Sequence, residues 1–202
     1  MGKKKIIGLC LAVGLMVGVV GGSLAWFTDS DSVTNSFATQ GNGQGQSNGI
    51  EIEEEFDKDL AGKVLPGTDV NKDVKVVNTA SYDQLIRVKF DKKWTDGNSK
   101  GLDFEAIELK YKNLTESAET NKWIEGTDGY FYYNGVVKPN VATEYLLDSV
   151  KLSSKADRRY EGVGYDVIVH AEGIQAANGA VSDAWKDAPQ AIKDLGGTLV
   201  QD

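Results

Sequence analysis

The sequence predicts an all-β fold: a jelly-roll-like antiparallel β-sandwich with a few short helices. Short segments alternate between apolar and polar side chains along much of the chain, as strands with one buried face do. Turn-forming residues separate these segments about every ten residues, a spacing typical of sandwiches and jelly rolls. This pattern favours a sandwich over a helical or βαβ fold.

Residues 1–25 are predicted to be a signal peptide whose helix is removed from the mature protein. Lysines at positions 3–5 precede an apolar run, Ile6–Ala25, that is long enough to cross a bilayer as a helix. Ser23 and Ala25 occupy the −3 and −1 positions that a signal peptidase accepts, which makes Trp26 the first mature residue. Length alone would also permit a retained membrane anchor.

Residues 26–40 are predicted to form a separate N-terminal strand. Alternation places Val33, Asn35 and Phe37 on one face. Residues 41–49 follow as a flexible Gly/Gln linker with a root-mean-square span of about 16 Å and a full reach of about 30 Å. The strand is therefore expected to be tethered rather than fixed.

Residues 50–202 are predicted to form the β-sandwich domain. Ile50–Phe56 alternates apolar and acidic residues, and a loop over residues 57–73 follows it. Val74–Thr79 and Gln84–Phe90 are expected to lie in an antiparallel sheet with one solvated face. Further strands are predicted at residues 107–111, 144–152 and 164–176.

Two turn signals and two helical segments complete the domain. Asn134-Gly135, between Tyr130–Tyr133 and Val136–Lys138, predicts a hairpin with a type I′ turn. Residues 116–121 are expected to form a short helical turn. Ser182 is expected to cap a C-terminal helix in which Pro189 either starts a second segment or causes a kink.

Composition excludes some classes of protein. The formal net charge is −8, and it becomes −11 once the signal lysines are removed, so that nucleic acid is not an expected partner. Cys10 is the only cysteine, which leaves none in the predicted mature chain. The domain must therefore rely on burial and strand pairing rather than on disulfides.

Several segments carry a resemblance to a known family. The junction Ala25–Phe37 resembles the start of the TasA/camelysin-like family, exported proteins that a dedicated SipW-type signal peptidase cuts. The segments Val64–Thr68, Val74–Thr79 and Ile86–Phe90 are similar to a second block of that family. Segments closer to the BsaA branch, which forms pilus-like fibres, are residues 130–133, 146–152 and 171–176. The Gly/Gln linker departs from the family pattern, in which the first strand runs more directly into the next.

The resemblance implies a jelly-roll subunit that polymerises in the biofilm matrix or at the cell surface. Residues from Phe27 to about Thr39 would leave their own domain and pair with an open sheet edge of the next copy. Phe27, Val33 and Phe37 would fill apolar pockets, and Asn35 shares their face. The resemblance also allows Phe27 as the first mature residue. Expected partners are further copies of the chain, the SipW-type peptidase during export and a minor anchoring subunit.

Catalysis finds little support in the sequence, and no cofactor or metal is expected. Camelysin is described as a protease, but His170 is the only histidine and no His-Glu-x-x-His motif is present. Asp69, Asn71 and Asp73 have the first three spacings of a calcium loop, which then lacks its glycine and its final glutamate. The alternative to a fibre subunit is a polysaccharide- or surface-binding module that uses Tyr130–Tyr133, although alternation favours a core position for these rings.

Overall fold

The computed structural model describes residues 27–33, 49–56, 65–95, 101–161, 163–177 and 179–197. Strands in these ranges form two sheets, and two short helices follow them. The strands are β1 (Phe27–Val33), β2 (Ile50–Phe56), β3 (Val70–Asn78), β4 (Gln84–Trp94), β5 (Ile107–Tyr111), β6 (Trp123–Glu125), β7 (Phe131–Tyr133), β8 (Leu147–Leu152) and β9 (Tyr165–Gln175). The helices are α1 (Ala180–Ala184) and α2 (Gln190–Gly197).

The two sheets form a sandwich. The five-stranded sheet has the order β1-β9-β4-β7-β6, and the four-stranded sheet has the order β2-β3-β8-β5. All strand pairs are antiparallel except β1 and β9, which run parallel. The predicted jelly-roll-like antiparallel sandwich with a few short helices is confirmed. The predicted signal peptide lies outside the described residues.

The main core lies between the sheets and follows from alternation along the strands. In β3, Val70, Val74 and Val76 are fully buried, whereas Lys75 and Val77, which alternate with them, are only half-buried. In β9, Val167 and Val169 are buried in the same way. Each sheet thus turns one apolar face inward, and burial of that face is the main stabilising term.

A second, smaller core covers part of the outer face of the five-stranded sheet. There Leu85 of β4 packs with Trp185 and with residues of both helices. Its neighbour Ile86 faces the main core, so this end of β4 is buried on both sides. Gly196 lets the helices approach closely, because a Cβ at that position would collide with Val181.

The C-terminal helices begin at different residues from the one predicted. Gly179, with φ +72°, is the N-cap residue of α1, so the expected cap at Ser182 is wrong. The left-handed conformation suits glycine because it has no Cβ. Pro189 precedes α2, whose first turn includes a hydrogen bond from Ile192 N–H to the Pro189 carbonyl (3.0 Å), so Pro189 starts a second segment. No helix among the described residues has the length and apolar character to cross a membrane.

Strand boundaries differ from the predictions in several places. The strand predicted at Val74 begins at Val70, and the strand predicted to end at Phe90 continues to Trp94. Residues 116–121 form bends and turns rather than a helical turn. The adjacent β6 was not predicted, because three residues are too few to show a period.

The hairpin predicted at Asn134-Gly135 is wrong. Neither residue has a positive φ, which a type I′ turn requires at both central positions. The chain instead continues along β4, where Arg87 pairs with Tyr132 and Gln84 with Val137. The two extra residues between these pairings form a bulge-like irregularity, and the Asn134 side-chain amide donates to the carbonyls of residues 118 (2.6 Å) and 119 (3.0 Å). Tertiary hydrogen bonds therefore override the local turn signal.

Candidate assembly edge

Among the described strands, β1 occupies the outer edge of the five-stranded sheet and is hydrogen-bonded to one neighbour, β9. The register runs from Phe27 opposite Tyr165 to Val33 opposite Ala171. A terminal strand in this position is held by one hydrogen-bonded ladder, and its other side is the edge of the sheet. Its attachment to the body is thus local to β9.

The register relates β1 to the buried face of β9. Starting with Phe27, every second residue of β1 is opposite a buried residue of β9. These pairings are Phe27 with Tyr165, Asp29 with Val167, Asp31 with Val169 and Val33 with Ala171. Phe27 and Val33 therefore lie in the same row of the register, which also contains Asp29 and Asp31. Asn35, Phe37 and the predicted cleavage residues Ser23, Ala25 and Trp26 lie outside the described residues.

β9 is well placed to hold such a strand, because its other side is fully paired. All 11 of its residues are in register with β4, from Gln84 opposite Gln175 to Trp94 opposite Tyr165. At Gly173 the opposite sheet comes close, since a Cβ there would lie 2.8 Å from Cγ2 of Ile50. β9 is thus an interior strand along residues 165–171, where β1 pairs with its other side.

Aromatic rings line the sandwich at the end where β1 and β9 begin. Trp94 packs against Tyr165 at 5.6 Å and against Tyr160 at 5.5 Å between ring centroids. All three side chains are buried. Burial raises the pKa of Tyr165 far above its usual range, which keeps the phenol neutral. Neutral aromatic rings therefore line the inner side of this end of the sandwich.

A buried ion pair joins β2 and β3, on the side of the sandwich where β2 approaches β1. Lys72 Nζ is 2.9 Å from Glu54 Oε2, and the side chains are 2% and 6% exposed. Lys72 lies two residues from both Val70 and Val74 in β3, so its side chain points to the same face, between the sheets. The sequence prediction missed this pair because it assigned residues 57–73 to a loop. The alternation from Val70 onward was the signal that could have revealed it.

A second polar cluster lies on the opposite face of the five-stranded sheet, under the C-terminal helices. The Arg87 guanidinium donates to Glu172 from Nε (2.9 Å) and Nη2 (2.6 Å), and from Nη1 to the Tyr132 hydroxyl (3.1 Å). The Tyr130 ring centroid lies 3.9 Å from the guanidinium carbon and the Trp185 ring centroid 4.8 Å. Burial by itself would lower the pKa of Arg87, but hydrogen bonds with Tyr132 and Glu172 raise it overall.

This cluster is a structural clamp rather than a ligand site. The second Glu172 oxygen accepts from the Tyr130 hydroxyl (2.9 Å), and the Tyr132 hydroxyl donates to Asp128 (2.6 Å). The charges of Arg87 and Glu172 therefore satisfy each other and fasten Trp185 to the sheet. Phe131, Tyr132 and Tyr133 are buried, which confirms the prediction that this aromatic run belongs to the core.

The described residues contain no cluster of three or more His, Cys, Asp or Glu side chains that could hold a metal ion. His170 Nε2 lies 3.0 Å from Asp91 Oδ2, on the outer face of the five-stranded sheet. Asp73 pairs with Lys112, and Asp69 accepts from the Ser149 hydroxyl (3.4 Å). The acidic residues at 69 and 73 thus take part in strand-to-strand contacts.

Together, the fold and this edge define a β-sandwich protein with a parallel N-terminal edge strand. No protein-family model matches the chain, and no curated protein sequence does. Among solved structures, the chain is similar to the ASH/PapD-like domain of human CEP192 (PapD-like domain 7), at 9% identity over 69% of this chain and 93% of that one. The TM-score of 0.31 is too low for this likeness to support any functional argument.

Proposed function

We propose that this protein is an exported structural subunit that polymerises into extracellular fibres by donating its N-terminal strand to the next copy. The observation that carries the proposal is the position of β1, an edge strand with one neighbour. The signal peptide, the tethered strand and the family resemblance predicted from the sequence support it.

The parallel pairing of β1 with β9 supplies the acceptor in this proposal. When β1 of another copy occupies β9 in the same register, it repeats every backbone hydrogen bond that β1 makes within its own chain. The exchange therefore changes which chain supplies the strand without changing the contact. A head-to-tail contact of this kind does not close on itself, and it propagates as a fibre.

The Gly/Gln linker at residues 41–49 and the signal peptide give the exchange its control. The linker predicted from the sequence would let the strand leave its own sheet once the β1–β9 ladder opens. While the apolar signal helix is attached, the strand is held at the membrane. Cleavage then frees it for donation.

A polysaccharide-binding module has less support. Its binding stripe was predicted at Tyr130–Tyr133, and three of these four rings are buried. Sugar-binding rings need an exposed face, so the observed positions favour a structural role. Localisation outside the cell is common to both functions and does not separate them.

The proposal is tested by electron microscopy of the mature protein and of a variant that lacks residues 27–39. We expect fibres from the mature protein and a soluble monomer from the truncated one. Fibres from the truncation would overturn the proposal. Sedimentation and circular dichroism establish whether the truncated protein is a folded monomer.

A matched pair of substitutions tests the register without removing the strand. Val33→Asp changes a residue that is opposite the buried Ala171, whereas Ser32→Asp changes its neighbour, which is opposite the half-buried His170. Both add the same charge. We expect Val33→Asp to abolish fibres and Ser32→Asp to retain them; equal behaviour of the two variants would contradict the register.

A further inference from the structure

Two aspartates of β1 belong to the inner face of the five-stranded sheet. The register places Asp29 opposite Val167 of β9 and Asp31 opposite Val169. Residues that are in register on neighbouring strands lie on the same face of a sheet, and these valines are part of the main core. The acidic positions of β1 are therefore on the face that is turned toward the four-stranded sheet.

Lys72 supplies a buried cation in that opposite sheet. Among the lysines and arginines that the structure describes, it alone is buried. Its Nζ atom lies between the sheets, 2.9 Å from Glu54 Oε2 of β2. β2 approaches β1 across the sandwich. An ammonium group is thus present on the inner face beside the edge that β1 occupies.

β2 and β9 run in opposite directions on the two facing sheets. Leu65 and Pro66, which precede β3, line one groove with Tyr160, and Tyr160 packs on the Trp94 ring beside Tyr165 at the start of β9. β3 and β9 therefore start at the same end of the sandwich. Because β2 is antiparallel to β3, it runs from the end of β9 toward its start.

A count from a common contact places Glu54 at the level of the aspartates. A Cβ on Gly173 of β9 would lie 2.8 Å from Cγ2 of Ile50, the first residue of β2. Four residues further along β2 is Glu54, and four residues back along β9 is Val169, the register partner of Asp31. Both counts cover about 13 Å, since each residue of a strand adds about 3.3 Å. The buried ion pair therefore lies at the height of the acidic row.

We propose that Lys72 recognises the acidic row of the strand that pairs with β9, by sharing its ammonium group between Glu54 and the aspartates at positions 29 and 31. This inference rests on the proposed function, since in the fibre the strand comes from the next copy. Lys72 is then the residue that selects this strand and its register.

A lysine that binds two carboxylates already occurs in this sandwich. Lys112 contacts Asp73 of β3, and its Nζ atom lies 3.2 Å from Asp148 Oδ1 of β8. An ammonium group has three N–H donors, which is enough for such sharing. Lys72 joins β3, β2 and the incoming strand in the same way, but between the sheets.

The acidic row determines which strands β9 accepts. Charges on the inner side of a free strand oppose its pairing with a sheet that offers only apolar side chains. The ammonium group of Lys72 offsets this cost beside β9. A strand that is shifted by one residue would place the aspartates on the other face, away from the lysine. The same two residues thus disfavour wrong pairings and favour the right one.

Assembly of the full mature protein tests this recognition. Asp29→Asn together with Asp31→Asn keeps the shape of both side chains and removes both charges. We expect this double variant to raise the critical concentration for fibre formation at least about 30-fold, as the loss of one partner of a buried charge pair does. Glu105→Gln with Glu116→Gln removes two exposed charges outside the strands and should leave the critical concentration unchanged. Equal behaviour of the two double variants would overturn the inference.

Two further backgrounds show whether the effect depends on Lys72. In Lys72→Met the same asparagine replacements should lower the critical concentration, because the carboxylates then repel one another without a cation. In Glu54→Gln they should raise it more than in the parent, because the buried ammonium loses its last carboxylates. Circular dichroism checks the folding of each variant, and Glu54→Gln keeps the test valid where Lys72→Met does not fold. The same change in all backgrounds would overturn the inference.

Urea unfolding of the same variants separates this inference from the proposed function. Dependence on Lys72 in both assembly and unfolding supports both. A parent that stays monomeric, with the same dependence in its unfolding midpoint, supports the lysine–aspartate contact within one chain and overturns strand exchange. Fibres whose variants show no dependence on Lys72 overturn the recognition and leave strand exchange standing. A monomeric parent without this dependence overturns both.

Discussion

The edge strands β1 and β2 lie on the same side of the sandwich and end their sheets in different ways. β2 carries exposed glutamates at positions 51, 53 and 55 on its outer face, and Glu54 is paired with Lys72 on its inner face. Charges on both faces of an edge strand oppose pairing with another chain. β1, in contrast, pairs with residues 165–171 of β9, in which every second residue is apolar and buried. The charges of the β2 edge therefore disfavour a new strand, whereas the apolar positions of β9 favour one.

The two remaining edges support this contrast. β6 has only three residues, and short edge strands give a weak template. β5 carries charged side chains that pair with β8, including Glu108 with Lys151 (3.2 Å). When β1 leaves, β9 becomes an edge strand. Among the edges in the described part of the chain, it then has the longest apolar pairing surface.

The largest expected effect comes from breaking the buried pair of the β2 edge. Lys72→Met should lower the free energy of unfolding by about 3–5 kcal/mol, because the Glu54 carboxylate stays buried after its ammonium partner is removed. Urea unfolding of a non-assembling Val33→Asp background measures it. The control is Lys72→Met with Glu54→Leu, in which no buried charge of this pair remains and most of the stability should return. A loss below about 1 kcal/mol in the single variant would show that the pair is effectively solvated.

A smaller effect on stability, but a clear one on association, is expected when the outer charges of β2 are removed. Replacing Glu51, Glu53 and Glu55 with Thr should change the free energy of unfolding by less than about 0.5 kcal/mol per site, since these side chains are on the surface. In the non-assembling Val33→Asp background, light scattering should detect association that the same background with its three glutamates lacks.

The control for that experiment keeps the net charge the same. Glu105, Glu116 and Glu119 are exposed and lie outside the strands, so their replacement with Thr removes three charges away from any edge. If both triple variants associate equally, net charge rather than position protects the β2 edge.

The smallest effect is expected in the interior of the four-stranded sheet, on its charged outer face. Hydrogen bonds from Lys110 and then Lys112 lower the pKa of Asp148. The folded protein therefore gains stability from Asp148 at pH values above the unfolded pKa of about 3.9, and loses it as the pH falls through the lower folded pKa. Asp148→Asn should cost less than about 1 kcal/mol near neutral pH, because the side chain is partly exposed.

Melting temperatures between pH 2 and 6 check this prediction, and the slope with pH should be shallower for Asp148→Asn than for the parent. Identical slopes would mean that the carboxylate interacts equally in the folded and unfolded states. Charges of the same type are thus expected to have small effects on stability inside the four-stranded sheet and to control association at the β2 edge.

Alternation along the sequence was enough to predict much of the sandwich. β2, β5 and β9 appear close to their predicted positions, because a strand with one buried face shows its period directly in its residues. Asn134-Gly135 shows the limit of local signals. Its turn preference is outweighed by pairing with β4 and by the Asn134 hydrogen bonds, both of which involve residues far along the chain.

The candidate edge was predictable in part. A strand within residues 26–40 was predicted from alternation, and β1 lies in that range. The choice of β9 as neighbour and the parallel direction are not encoded locally, since both depend on how distant strands assemble. The burial of Lys72 was missed because Asn71 and Asp73 on either side of it are polar too, which hides the alternation of buried and exposed positions.

The parallel match between β1 and β9 gives the proposed polymer a direction. One terminus of a growing fibre would present an uncovered β9, and the other would carry a strand without a host. Addition at the two termini is then chemically different, and a chain that offers only one of these features could start or stop growth. In such a polymer, a minor anchoring subunit would need only a host strand to hold the fibre.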